Sequence, residues 1–184
     1  MVASAFLPVA LHKGKLYFLF GREAYDDGAP GFSDFGGGVE PGEDVFEAGL
    51  REFAEETTGF FGGPEDVREL VRGAGGALLH KKNTYHVHIF RAQYDVYLAQ
   101  LFTRSAAFIH ASVKNKGFLR KTCIFEKAEM AWMTAVEAQR RRSEFRPFYR
   151  EILDEITGER LEEIERFVRN GRAAGSRRRS RRQS

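Results

Sequence analysis

Between Gly37 and Phe60 the chain reads GGVEPGEDVFEAGLREFAEETTGF, a glycine-rich turn followed by apolar residues at helical spacing. From Glu43 onward, Val45, Phe46, Leu50 and Phe53 recur every three to four positions, which predicts a helix that buries one face and stops at Gly59. On it Glu52, Glu55 and Glu56 stand at i, i+3 and i+4, so three carboxylates leave one face as neighbours. Crowded anions repel unless a cation lies among them. A divalent ion with a preference for hard oxygen, Mg2+ or Mn2+, suits such a set, because it takes few protein ligands and keeps room for water and substrate phosphate. Arg51, four residues before Glu55, adds one compensating charge. The plainer alternative is a solvated acidic face on a surface helix.

The spacing of the whole stretch resembles the Nudix box, G-x5-E-x7-R-E-U-x-E-E-x-G-U with U an apolar residue. Gly37, Glu43, Arg51, Glu52, Phe53, Glu55 and Glu56 are in register with it. Thr58 stands where the pattern has its last glycine, and Gly59-Phe60 arrive one residue late, a shift expected to lengthen the helix exit without moving the carboxylates. The resemblance to the Nudix hydrolases implies an α/β fold, a mixed curved sheet sandwiched between helices. It also implies hydrolysis of a nucleoside diphosphate linked to another group, with Mg2+ or Mn2+ held by Glu52, Glu55, Glu56 and the backbone carbonyl of Gly36 or Gly37. Arg51 would hold the glutamates in place, Glu43 would be an auxiliary ligand or orienter, and Glu126 or Glu52 would accept the proton of the attacking water. Glu126 precedes a stretch that resembles the Nudix strand ending in a tryptophan, here Trp132, and Glu129 is the reserve. Two other readings stay open: an mRNA-decapping Nudix enzyme, and a non-catalytic nucleotide-sensing module, whose signature would be lost glutamates.

Around this stretch, Phe6 to Leu11 and Leu16 to Phe20 predict a β-hairpin turning at His12-Lys13-Gly14-Lys15. Asp26 to Gly31 reads as a loop, and Arg22 at the end of the second strand is a candidate phosphate contact. Val67 to Arg72 reads as a helical turn before a flexible break at Gly73 to Gly76. Thr84 to Phe90 alternates, with Tyr85, Val87 and Ile89 on one face and His86, His88 and Phe90 on the other. His86 and His88 are candidate substrate contacts. They have no third ligand at zinc spacing. Tyr94 to Val113 looks mostly helical, an insertion that shapes the pocket, and Ile152 to Val168 reads as one or two helices broken at Gly158.

A length of 184 residues with 42% hydrophobic content suits one domain, expected over residues 1–170. No apolar run approaches the roughly 18 residues of a membrane span, so no membrane partner and an intracellular location, cytoplasmic or nuclear, are expected. The one cysteine, Cys123, excludes an internal disulfide and is expected to be a small core residue. The formal charge of +3 conceals an asymmetry: Arg172, Arg177, Arg178, Arg179, Arg181 and Arg182 crowd the last residues, and without those six the body is −3. Residues 171–184 are therefore expected to be a disordered Arg-rich tail. It has three readings: RNA contact by Arg177 to Arg182, with a capped RNA beside a phosphorylated small molecule as substrate; a nuclear-import signal; or a solubilising segment.

Overall fold

The structure is a computed structural model that describes residues 1–24 and 30–180, with Lys116 and 172–180 described by backbone alone. Most of the expected Asp26 to Gly31 loop lies outside the described residues. The predicted hairpin is present and longer than its apolar runs: β1 spans Ala3–His12 and β2 spans Lys15–Glu23. Lys13 and Gly14 join them with φ of 48° and 78°, the two left-handed residues that a tight turn between right-twisted strands requires.

The chain continues through β3 (Phe32–Ser33), β4 (Phe35–Gly38), α1 (Val45–Glu56), α2 (Pro64–Gly73), β5 (Ala77–Lys82) and β6 (Tyr85–Arg91). It ends with α3 (Val96–Ser112), α4 (Lys116–Thr122), β7 (Lys127–Thr134), α5 (Ala135–Arg140), two short 3-10 turns, α6 (Arg150–Thr157) and α7 (Leu161–Ser180). β1 organises the sheet. One edge pairs in parallel with β6, and the other is shared, Ala3 to Phe6 pairing antiparallel with β4 and Val9 to His12 with β2. Because β1 changes partner halfway, β2 and β4 diverge and the sheet splits open, with β7 on the far side of β2.

Helices cover both faces, so the expected mixed α/β sandwich is the fold observed. Successive residues of β1 point to opposite layers. Phe6 joins Leu50, Phe53, Phe90 and Phe102 beneath α1 and α3, while Leu7 and Val9 join Phe18, Phe20, Ile152 and Ile156 beneath α6. Each of these phenylalanines is wholly buried, worth about 1.5–3 kcal/mol apiece. The alternation of β6 is as expected, with Val87 and Ile89 under α6 and α7 and Phe90 under α1.

The expected helical turn after Val67 is a ten-residue helix, begun by Pro64 at its first position. Gly158 does break the last region into α6 and α7. α7 runs on to Ser180, so its backbone takes in part of the stretch 171–184 expected to be disordered; 181–184 lie outside the described residues. Among the described residues no helix is long and apolar enough to cross a membrane.

Candidate active site

Asp44 starts α1 by accepting the amide protons of Phe46 and Glu47, and Leu50 and Phe53 pin the helix to the sheet. The helix stops earlier than expected, at Glu56. The Thr58 amide then bonds to Glu55 O at 2.8 Å and the Gly59 amide to Ala54 O at 3.0 Å. That Schellman arrangement needs a left-handed residue just past the cap, and Thr58 takes it with φ 50°. The helix exit is therefore not lengthened: Thr58 occupies the conformation that a glycine would, and the carboxylates keep their helical placement.

Arg51 lies among the acidic groups. Its guanidinium bonds both oxygens of Glu43 at 3.0 and 3.1 Å, Glu52 at 2.7 Å and the carbonyl of Gly38 at 3.1 Å, and it lies 3.6 Å from Glu55. This fork ties the glycine turn to the helix. Its proton is held more tightly than usual, chiefly by the bond to Glu43. A Cβ on Gly37 would push the Glu52 carboxylate out of its present place, so the bare β4 backbone is what lets that group lie against it.

Burial raises the Glu52 carboxyl above its ordinary pKa; Arg51 opposes the rise, and the charges of Glu55 and Glu126 add to it. The charge of Glu126 is thus close enough to be felt at Glu52. It sits in a loop between α4 and β7 in which Cys123 and Phe125 have φ of 55° and 52°. Two bonds hold that loop: the Phe125 amide donates to Thr58 Oγ1 at 3.2 Å, and its carbonyl meets His110 Nε2 at 2.9 Å. Cys123 is exposed rather than in the core, because its left-handed turn aims it away from the sheet. A hydrogen bond to Glu126, burial and the nearby carboxylates push its thiol up to about 11, far from the thiolate that binds metal or attacks.

Glu56 is placed differently from its neighbours. It is 6% exposed, accepts the Gly36 amide proton at 2.7 Å and pairs with Lys127 Nζ at 3.1 Å. The buried Lys127 ammonium also meets Glu23 at 2.5 Å and Ser33 Oγ at 3.3 Å, and Glu23 in turn meets Arg146 at 2.7 Å. Burial disfavours the ammonium, but Glu56 and Glu23 outweigh it and Lys127 keeps its proton. Burial likewise raises the Glu56 carboxyl, against Lys127 and the Gly36 amide. Among the described residues no three His, Cys, Asp or Glu groups stand ready to hold a metal ion.

The other expected site residues make contacts of their own. Glu129 faces Arg22 across β7 and β2 at 3.9 Å, and Arg22 lies over the Phe32 ring. Glu129 also lines a cavity of about 330 Å³ with Tyr94, Gln100, Thr103, Arg104 and Trp132, so α3 walls a cavity there. His88 is stacked on Phe6 and packed edge-on to Phe46, and burial drops its pKa to about 4. His86, two positions before His88 on the same face of β6, is half-buried, with its pKa lowered by burial and Lys81. Lys127 and Glu23 carried no sequence signal, since their meeting depends on the pairing of β2 with β7.

No protein-family model and no curated protein matches the chain. Among solved structures it is similar to a C. elegans Ap4A hydrolase binary complex, at 16% identity over 75% of this chain and 83% of that one, with a TM-score of 0.44. It is also similar to a mutT/nudix family protein from Listeria innocua, at 15% identity over 88% and 94% of the two chains, with a TM-score of 0.45. Likenesses this distant say nothing of substrate.

Proposed function

We propose that this chain is a divalent-metal-dependent hydrolase of the Nudix type, acting on a nucleoside diphosphate linked to another group. The observation that carries the reading is the Glu52 carboxylate, set against the Gly37 backbone, feeling the charges of Glu55 and Glu126, with Arg51 the one cation bonded to it among the described residues. Such a group of hard oxygens short of positive charge fits Mg2+ or Mn2+. Glu52, Glu55, Glu56 and the Gly37 carbonyl are the donors proposed for the ion, with Glu126 in reserve, and Glu56 is also engaged by the Gly36 amide and Lys127. When bound, the ion supplies charge neutralisation at the phosphoryl oxygens and a water of lowered pKa.

The chain's own groups do the rest. Arg51, clamped by Glu43, fixes the direction of Glu52. Glu126 or Glu52 takes the proton of the attacking water, Glu52 being suited by a pKa that burial has already raised. The pocket beside Trp132 and Glu129 is where the group linked to the diphosphate would be selected.

The test is Mg2+-dependent turnover of a panel read by mass spectrometry: nucleoside triphosphates, dinucleoside polyphosphates, nucleotide sugars, inositol pyrophosphates and capped RNA. Glu55→Gln should cost about 100-fold or more in turnover with the fold intact. A folded Glu55→Gln protein with full Mg2+-dependent activity would overturn the assignment.

A further inference from the structure

We propose that a cavity beside Arg91, at the far end of β1 from the glycine turn, is a second binding site that takes the phosphate or carboxylate group of a small anion. The proposal stands on its own residues and does not depend on the hydrolase reading.

Arg91 ends β6, and its guanidinium is set between the bare backbones of two glycines. A Cβ at Gly171 on α7 would fall on its Cζ, and one at Gly75 would come within 3.3 Å of a terminal nitrogen. Half-buried there, the side chain makes no hydrogen bond or ion pair among the described residues, and its Nε is buried without a partner. Every other half-buried arginine among the described residues has an acceptor. Arg51, Arg68, Arg141, Arg142, Arg146 and Arg160 pair with carboxylates, and Arg150 bonds the carbonyls of Ser143 and Phe145. Burial lowers the pKa of Arg91, with no carboxylate to offset it. A cation drawn partly out of water without an acceptor is unfavourable, so the missing acceptor belongs to a ligand.

A cavity of about 400 Å³ opens at this residue, lined also by His12, Gln93, Tyr94 and Val168 and by no Asp or Glu. Its size is that of small-ligand pockets. The side chains around it are rich in donors: the guanidinium, the Gln93 amide, the His12 ring and the Tyr94 hydroxyl, whose proton is held more tightly by burial and by the neighbouring Tyr17 and Glu137. Asp95, the next acid along the chain, is occupied in capping α3, where it accepts the amide protons of Tyr97 and Leu98. The wall is fixed in advance, since Tyr94 stacks on His12 at 4.2 Å and packs on Tyr17 at 4.8 Å and Trp132 at 5.4 Å. A lone guanidinium beside such a wall can give two parallel bonds to a phosphate or carboxylate. The place is distinct from the carboxylate site: β1 meets the glycine turn through Ser4 and Gly37, whereas His12 is its last residue. Val168 and Gly171 come from α7, so an occupant would also fasten that helix to the sheet.

Nuclear magnetic resonance of the full chain in EDTA tests this, with inorganic phosphate, pyrophosphate and citrate titrated against chloride at constant ionic strength. The amides of Arg91, Gln93 and Tyr94 and the Arg91 Nε–H should shift saturably, and the three anions tell a phosphate site from a carboxylate site. Arg91→Met keeps the apolar stem and removes the guanidinium, so affinity for the bound anion should fall about tenfold or more. Without anion, the unfolding temperature of Arg91→Met should be no lower than that of the unaltered chain, because no acceptor is left behind. The bound anion should raise the unfolding temperature of the unaltered chain and not that of the variant. If Arg91→Met does not fold, the shifts mapped in the unaltered chain still decide. No saturable shift at Arg91, Gln93 and Tyr94 with any of the three anions, or equal affinity in Arg91→Met, would overturn the site.

Discussion

Asp34 is 1% exposed; its Oδ1 accepts a 2.6 Å bond from the Tyr85 hydroxyl, and its Oδ2 has no hydrogen-bond partner among the described residues. Burial raises this carboxyl from 3.8 to about 7, outweighing Tyr85, Lys127, the nearby Tyr149 hydroxyl and Arg146, all of which favour the anion. A carboxyl raised by folding binds its proton more tightly in the native state, so the native chain carries the extra proton between about pH 4 and pH 7. Its contribution is fully present below the unfolded value, is lost as pH rises through the folded one, and changes no further above it. Asp34→Asn removes that group at nearly constant shape. Urea unfolding should therefore show the variant gaining on the unaltered chain between pH 4 and pH 8, by up to about 4 kcal/mol at 1.36 kcal/mol per pKa unit. A stability difference that does not change with pH would show that Asp34 is anionic throughout.

Among the elements, the exit of α1 carries a conflict between backbone and side chain. Thr58 is β-branched and left-handed, a conformation that costs such residues about 1–2 kcal/mol, yet its hydroxyl holds the Phe125 amide next to Glu126. Thr58→Gly should relieve the backbone and release that amide. Net stability should change by less than about 1 kcal/mol, while hydrogen exchange at Phe125 speeds up and turnover falls. Unchanged exchange at Phe125 would show that the burial of its ring, and not Thr58, holds the loop. The position was legible as an irregularity, because a threonine stands where the resembled pattern has glycine. Glu52, Glu55 and Arg51 were legible too, since helical spacing alone places them together. Lys127 was not, because it reaches Glu56 through a non-local strand pairing with a register shift between Arg22 and Glu23. β5 was missed for a local reason: ALLHKK lacks alternation and follows a glycine break. Glu126 and Glu129 could be separated only once β7 was paired with β2, which sets Glu129 opposite Arg22.

On the scale of the whole molecule, charge is divided along the chain. From Val96 to Phe125 there is no Asp or Glu, and Arg104, Lys114, Lys116, Arg120 and Lys121 fall there; the last residues add six arginines. Gly171, where the expected tail begins, lies against the body. A Cβ at that position would collide with the Arg91 guanidinium, so the backbone of α7 still packs on the body there. A deletion that spares the fold should begin later, at Arg177, and removes five arginines. If those side chains hold RNA, each phosphate neutralised releases counterions, and the logarithm of affinity falls with that of salt by about 0.7 per contact on a single strand. Five contacts give a slope of about 3.5, which the deletion should abolish. On the function proposed above, turnover of small diphosphates should stay near that of the full chain. RNA binding measured from 50 to 200 mM salt, with and without residues 177–184, reads the difference directly. An equal slope in both proteins would exclude the tail as an RNA grip, and would move any salt-dependent RNA contact to the acid-free stretch between Val96 and Phe125.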